Sequence, residues 1–464
     1  MSVTRRSLLQ SAAAAAFSPA FLTAARASDG FIELTAGPAK AQLLAEGEPK
    51  TDVWAYGDTV PGPILRAKQG EPFRLRFINN LPQPSTIHWH GIRIENAMDG
   101  VAGLTQEPVL PGESFDYVFT PPDAGTYWYH PHSRTWEQMA RGLYGALIVE
   151  EREAPGFDLD LPLIVDDWRL TKSGAFHEES LGSMMEFSHA GRLGNWVTVN
   201  GTSLPSFDLP AGGIARLRLI NTANSRVLNL KLDDFKGEII AFDGQPITPQ
   251  AIPSDVLPFA PAQRIDLAVR VPETVSGKLE LKAQSREVEI TIAEFKITGE
   301  SRPVKQIPAL PENPLPVKLD LSSPLQSELR MEGGAMGGLE QARLNGELLS
   351  IRQMVRKNKA WAFNGVVGRT DEPLFSAKRG QTVVIDIIND TAWPHAMHFH
   401  GHHVKVIERN GQPVEGAPWR DTELMQRDDR IKVAMPADNP GKWMLHCHML
   451  EHQAAGMATW FEVT

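Results

Sequence analysis

Gly380-Gln-Thr-Val-Val-Ile-Asp-Ile-Ile-Asn389 reads as a glycine-led strand closed by asparagine, and it recurs twice upstream. Gly70-Glu-Pro-Phe-Arg-Leu-Arg-Phe-Ile-Asn79 and Gly212-Gly-Ile-Ala-Arg-Leu-Arg-Leu-Ile-Asn221 keep the same Gly-to-Asn interval. Apolar residues at period two are the mark of a strand with one face in a core. Each copy is followed by a second glycine-led run: Gly125-Thr-Tyr-Trp-Tyr129, Gly277-Lys-Leu-Glu-Leu281 and Gly441-Lys-Trp-Met-Leu445. Two matching halves in one order, three times over, predict three copies of one β-domain. Composition agrees, since 464 residues suffice for about three domains. Glycine and proline total 73, which suits short strands joined by turns. The five prolines of 302–316 mark a linker before the third copy, and the acidic, proline-containing segment after Glu150 separates the first two. The expected organisation is all-β, with domains over 28–152 and 153–300, a linker over 301–318 and a third domain over 319–464.

Histidines divide the three copies. Nine residues past the repeated asparagine stand His88-Trp-His90 and His398-Phe-His400, but Leu230-Lys-Leu232 in the second copy. Five residues past the second glycine stand His130-Pro-His132 and His446-Cys-His448, but Lys282-Ala-Gln284 in the second copy. Side chains at i and i+2 of a strand share a face, roughly 6 to 7 Å apart, so each pair can serve two neighbouring metal ions. The chain holds five His-x-His pairs where random placement of 14 histidines gives about 0.4. Eight imidazoles from domains 1 and 3 are enough for three metal ions if those domains face each other, while domain 2 is expected to bind none.

The single cysteine, Cys447, excludes an internal disulfide and lies between two of these histidines, so its sulfur points to the opposite face. A blue-copper site needs two imidazoles, a thiolate and a weak axial thioether. His395, Cys447, His452 and Met457 supply that set.

The segments His88-Trp-His-Gly91, His130-Pro-His132, His395-Ala-Met-His-Phe-His-Gly-His402 and His446-Cys-His-Met-Leu-Glu-His452, with Gly456-Met457, resemble the four copper-binding motifs of multicopper oxidases. That family contains laccases and bacterial copper-tolerance oxidases, and the resemblance spans nearly the whole chain after residue 27. It implies three consecutive cupredoxin-like Greek-key β-sandwiches, four copper ions, and oxidation of a substrate one electron at a time coupled to reduction of dioxygen to water. It further implies that His395, Cys447, His452 and Met457 hold a type 1 copper, that His88 and His398 hold a type 2 copper, and that His90, His130, His132, His400, His446 and His448 hold a type 3 pair. Cys447 is then the electron conduit to His446 and His448. Asp99, in the turn after the first motif, resembles the acid that the family keeps near the cluster and is a candidate proton donor. Gln453, after the His452 ligand, cannot serve as an acid. The third motif usually reads His-Pro-x-His, whereas here Ala396 follows His395 and the proline is displaced to Pro394, which puts the rigidity of that segment in question. His177, His189, His402 and His403 fall outside the set and read as structural or surface residues.

Thr4-Arg-Arg-Ser-Leu-Leu9 followed by an alanine-rich run and Ala25-Arg-Ala27 reads as a twin-arginine export signal over 1–27, implying the export machinery as a partner and a periplasmic destination, with no membrane anchor. Its removal would take the net charge from −10 to −13, which disfavours nucleic acid as a partner. A monomer is expected. The donor is either cuprous ion or a small phenol or aromatic amine; Leu329-Arg-Met-Glu-Gly-Gly-Ala-Met336 reads as a mobile glycine-rich loop with two methionines that can take cuprous ion. Two other classes are separable by metal content: a non-enzymatic scaffold of the same ancestry, which would lack the ligands, and a nitrite-reducing cupredoxin protein, which would lack the eight-histidine cluster.

Overall fold

The computed structural model describes residues 30–464 apart from 276, 286, 287, 302, 304 and 317. The export signal expected over 1–27 lies outside the described residues. Among the latter, strands dominate, and no helix exceeds six residues. None is long and apolar enough to cross a membrane.

The first repeated segment forms Phe73–Asn79, with Phe73, Leu75 and Phe77 buried at period two. It pairs in parallel with Ile32–Ala41 and antiparallel with Ser114–Phe119. Thr51–Tyr56 completes this sheet of four. A second sheet of four, ordered Leu65–Lys68, Gly145–Glu150, Gly125–His130 and His88–His90, closes over it. Ile214–Asn221 and Thr382–Thr391 take the equivalent place in six-stranded sheets, each faced by a five-stranded one. The chain is therefore all-β, with three cupredoxin-like sandwiches in sequence.

The repeated asparagine has one role in all three. Asn79, Asn221 and Asn389 are buried, and their side-chain amides donate to two backbone carbonyls of the following loops: Val109 and Gln83, Phe259 and Arg226, Gln426 and Trp393, at 2.7–3.0 Å. Their Oδ1 atoms accept the backbone N–H of Leu81, Ala223 and Thr391. Each amide thus satisfies loop groups that would otherwise be buried without a partner, and it fixes where the chain turns toward the next strand.

The ladders that carry the histidines are in register across copies one and three: His88 stands opposite His130, and His398 opposite His446. The middle copy departs from the expected correspondence by one residue, since Leu230 faces Ala283 instead of Lys282. The strand Lys278–Ser285 is irregular against its other neighbour, its register shifting between Leu281 and Lys282. This turns Ala283 into the core beside Leu230 and Leu232, and leaves Lys282 outside to pair with Glu289 at 3.3 Å. Burying the lysine without a partner would cost far more than the slip. Leu230→Ala should lower stability by about 2–5 kcal/mol through the cavity it leaves. Urea denaturation will show this as an earlier transition, with copper per folded molecule unchanged.

One expectation about the connecting segments changes, and another segment gains detail. The linker is pinned: Asn313 exchanges hydrogen bonds with the Ala124 backbone in domain 1 and donates to Gln245 of domain 2 at 2.9 Å. The supposed mobile loop from Leu329 is in fact strand Leu325–Gly333, and Met331 is fully buried in it. Leu329, Met331 and Gly333 alternate inward, a period-two pattern that the glycines after it obscure in the sequence. Met336 alone of the two methionines is exposed, at 79%.

Candidate metal centre

Strands His88–His90 and Gly125–His130 from the first sandwich face His395–Phe399 and Gly441–Cys447 from the third. His88 stacks on His400 with ring centroids 4.0 Å apart, and His90 on His398 at 3.7 Å. His130, His132, His446 and His448 complete the set, all eight being buried. Alternation along the strands sends Trp89 and Phe399 into hydrophobic core on the opposite face.

Backbone and carboxylate acceptors fix the outer nitrogens of several rings. The Nδ1 atoms of His88, His130, His398 and His446 lie 2.8–3.0 Å from the carbonyls of Asp99, Pro131, Asp421 and Cys447. His400 Nδ1 is held by the Asp99 carboxylate at 3.0 Å. With the proton placed on Nδ1, the Nε2 lone pairs point inward. His400 Nε2 then lies 3.1 Å from His446 Nε2, and His130 Nε2 lies 3.4 Å from His448 Nε2. Among the described residues, His88 Nε2, His132 Nε2 and His398 Nε2 have no hydrogen-bond partner at all. Buried polar atoms are rarely left so, and facing lone pairs repel unless a cation lies between them. The donor set fits borderline metals that take imidazole.

On the far side of Gly441–Cys447 a second group assembles. Cys447 Sγ lies 3.5 Å from His395 Nδ1 and 3.8 Å from His452 Nδ1, and the two Nδ1 atoms are 3.1 Å apart. Outer contacts again aim these atoms inward: His395 Nε2 meets Thr391 Oγ1 at 2.8 Å, and His452 Nε2–H donates to the His189 carbonyl at 2.6 Å. Burial pushes the Cys447 thiol up to about 12, so a bound cation is what would make it a thiolate. Met457 is fully buried beside it, its carbonyl accepting the Cys447 N–H. Ala396 does not loosen this segment: it sits in a regular ladder opposite Leu424, and its carbonyl accepts the His448 N–H at 2.6 Å.

Models of the multicopper oxidase family match residues 39–154, 160–278 and 345–464. The structure is similar to that of a multi-copper oxidase from Pseudomonas thermotolerans, with a TM-score of 0.81 and 35% identity, covering 95% of this chain and 100% of that one. The chain belongs to the multicopper oxidase family. It is a copper oxidoreductase, and the family's chemistry joins a reducing substrate to dioxygen. Among its relatives are multicopper oxidase MmcO of Mycobacterium tuberculosis, 29% identical over 92% of this chain and 85% of that protein, and a copper resistance protein A homolog of Pseudomonas syringae pv. tomato, 25% identical over 92% and 91%.

Two carboxylates flank the oxidase's histidine cluster. Asp99 spans both domains, its carboxylate reaching His88 at 3.2 Å and His400 at 3.0 Å. Asp421, absent from the sequence-based set, lies 3.1 Å from His90 Nε2 and shares Thr422 with His398. No histidine neighbours it in sequence; only the pairing of His398 with Thr422 brings it in. Burial raises the Asp421 pKa, but Arg264, together with His90 and His398, more than reverses this and holds the carboxylate well below its usual range. Arg264 makes a bidentate pair to Asp421 at 2.9 and 2.5 Å and reaches the Thr126 carbonyl of domain 1. Gly91 allows this approach: at φ +88°, a Cβ there would stand 2.1 Å from Arg264 Nη2.

Of the histidines outside the set, His402 and His403 are buried, His402 packing on Trp443 and Phe461, whereas the His189 carbonyl caps His452. Burial lowers the pKa of most of the buried imidazoles, candidate ligands and others alike, with His402 and His452 brought to about 4. The unfolded chain therefore takes up protons first as pH falls below about 6.5. Stability of the copper-free oxidase should be complete above that pH and decline steadily toward pH 4. A urea midpoint that stays level from pH 7 to 4.5 would refute the reading.

Proposed function

We propose that this oxidase takes single electrons at a type 1 copper held by His395, Cys447, His452 and Met457, and reduces dioxygen to water at a three-copper cluster shared by domains 1 and 3. In that cluster His88 and His398 hold the type 2 copper, and His90, His130, His132, His400, His446 and His448 hold the type 3 pair. Copper at these residues supplies one-electron redox chemistry and, over four electrons, the conversion of dioxygen to water.

One observation carries the reading. Cys447 faces one group while its peptide neighbours His446 and His448 face the other, so covalent bonds join the two sites. Asp99, hydrogen-bonded to rings of both domains, is placed to hold and release protons there. Domain 2, taken as 153–300 before a linker at 301–318, serves as a brace: Arg264, Gln263 and Asn224 reach Asp421, Thr422 and Glu451 of domain 3. The twin-arginine segment supports export to the periplasm.

For the donor, cuprous ion is the first reading. The outer edge of the Cys447 site is covered by Met184–Ser188 and Ala335, joined by the Ala335 N–H to the Ser188 carbonyl at 2.6 Å. Met185 and Met336, 64% and 79% exposed, offer soft thioethers on these segments. A phenol is the second reading, favoured by the edge-to-face pair of His189 and Trp393 at 5.4 Å on the same surface. Oxygen consumption with a cuprous salt and with a phenol, side by side, decides: saturable cuprous turnover that drops in Met185→Leu/Met336→Leu supports the first, and phenol turnover alone supports the second. No oxygen consumption with either, at full copper loading, would contradict both.

A further inference from the structure

The four side chains assigned to the Cys447 site are fully enclosed, His395, Cys447, His452 and Met457 each being 0% exposed. Neither imidazole offers a free outer edge to a donor. His395 Nε2–H is taken by the Thr391 hydroxyl at 2.8 Å, and His452 Nε2–H by the His189 carbonyl at 2.6 Å. An electron therefore enters across an intervening group, and electronic coupling falls more steeply across gaps than along covalent or hydrogen bonds. Two tryptophans border the site. Trp361 packs on both rings, its centroid 5.2 Å from His395 and 4.4 Å from His452, but it is fully buried and its Nε1–H ends on the carbonyl of buried Phe187. Trp393 is only partly buried, and the outer links of both imidazoles run to it. Its backbone N–H donates at 3.2 Å to the same Thr391 hydroxyl that takes His395 Nε2–H, and only Pro394 separates it from His395 along the chain. Its indole meets the His189 ring edge to face at 5.4 Å, on the residue whose carbonyl holds His452. Its Nε1–H donates at 2.8 Å to the Ala335 carbonyl, next along the chain to exposed Met336.

We propose that Trp393 is the residue through which electrons enter the Cys447 site. The donor meets the indole, not a ligand imidazole, and the electron reaches His395 and His452 along the Thr391 and His189 links. A phenol loses one electron across Trp393 and its O–H proton to solvent, leaving as a phenoxyl radical, and dioxygen is the final acceptor of the electron. A cuprous ion beside Met336 passes its electron across the same indole by way of the Ala335 carbonyl and becomes cupric. The port rests on the type 1 site proposed above.

Guaiacol is the probe, mixed without oxygen with the fully copper-loaded protein, and the limiting first-order rate at which the blue absorption bleaches is the readout. Trp393→Leu should slow that rate at least about tenfold. Its copper content, melting temperature, blue spectrum and reduction potential should match the wild type, which a merely structural role would not allow. Trp393→Phe keeps a ring but loses the Nε1–H link, so it should slow bleaching about threefold, and it keeps the test available if Trp393→Leu does not fold. In the copper-free protein guaiacol should quench a share of the tryptophan emission that Trp393→Leu lacks, because a phenol ring packs on an accessible indole. A wild type with no blue absorption would remove the type 1 site and the port with it. A blue Trp393→Leu that bleaches at the wild-type rate, a slowing matched by a fall in potential, or quenching indifferent to the substitution would each overturn the port alone.

Discussion

Cys447→Ser will abolish the intense blue absorption and oxygen consumption together, the largest change expected from any single substitution. The sulfur is fully buried within 3.5–3.8 Å of the inner nitrogens of His395 and His452. A hydroxyl there lacks both the polarisable sulfur that gives a blue-copper centre its colour and the soft donor that suits copper in two oxidation states. The peptide bonds to His446 and His448 remain, so the cluster should keep its metal, and total copper should fall by about one per chain. Optical spectra, metal analysis and oxygen uptake on one preparation test this. A colourless variant that still turns over would separate colour from conduction and contradict the proposed route.

Arg264→Met should be the most damaging change outside the ligands. Arg264 is fully buried, pairs bidentately with Asp421, lies 3.6 Å from Asp243, and donates to the Thr126 carbonyl, so one side chain meets all three domains. Methionine would strand two carboxylates out of water, and breaking a buried pair in this way costs about 3–5 kcal/mol. Asp421 in turn touches His90 and, through Thr422, His398. Its displacement should therefore lower the copper retained in the cluster more than the copper at Cys447. Arg264→Lys, which cannot reproduce the two-pronged geometry, should fall between. Equal loss at both sites would point to general unfolding, and no loss at either would mean that the brace is unimportant.

Legibility in the sequence followed the physics of each feature. The sandwiches were visible because strand alternation and a buried asparagine leave a fixed Gly-to-Asn spacing. The histidine groups were visible because a strand puts i and i+2 on one face, so ligation leaves a local signature. Asp421 and Arg264 were not, because their work is done across domain borders and no spacing encodes it. Leu230 lies in the core, as an apolar residue in place of a cluster-facing histidine would, but the one-residue slip against Ala283 has no sequence signal: it depends on an irregularity in a neighbouring ladder. His189 acts structurally, as its place outside the motifs suggests, but its particular contact with His452 leaves no mark in the sequence, since a backbone carbonyl can come from any residue type.

The most direct test of the account is copper counting combined with electron paramagnetic resonance on the same fully loaded sample. The arrangement of one thiolate site and an eight-imidazole cluster predicts about four coppers per chain, of which about half are silent because the coupled pair cancels its own magnetism. The remaining signal should divide equally between a blue-copper species, lost in Cys447→Ser, and an ordinary species, lost in His398→Ala. One copper per chain, or a signal that accounts for every copper present, would contradict a shared three-copper cluster.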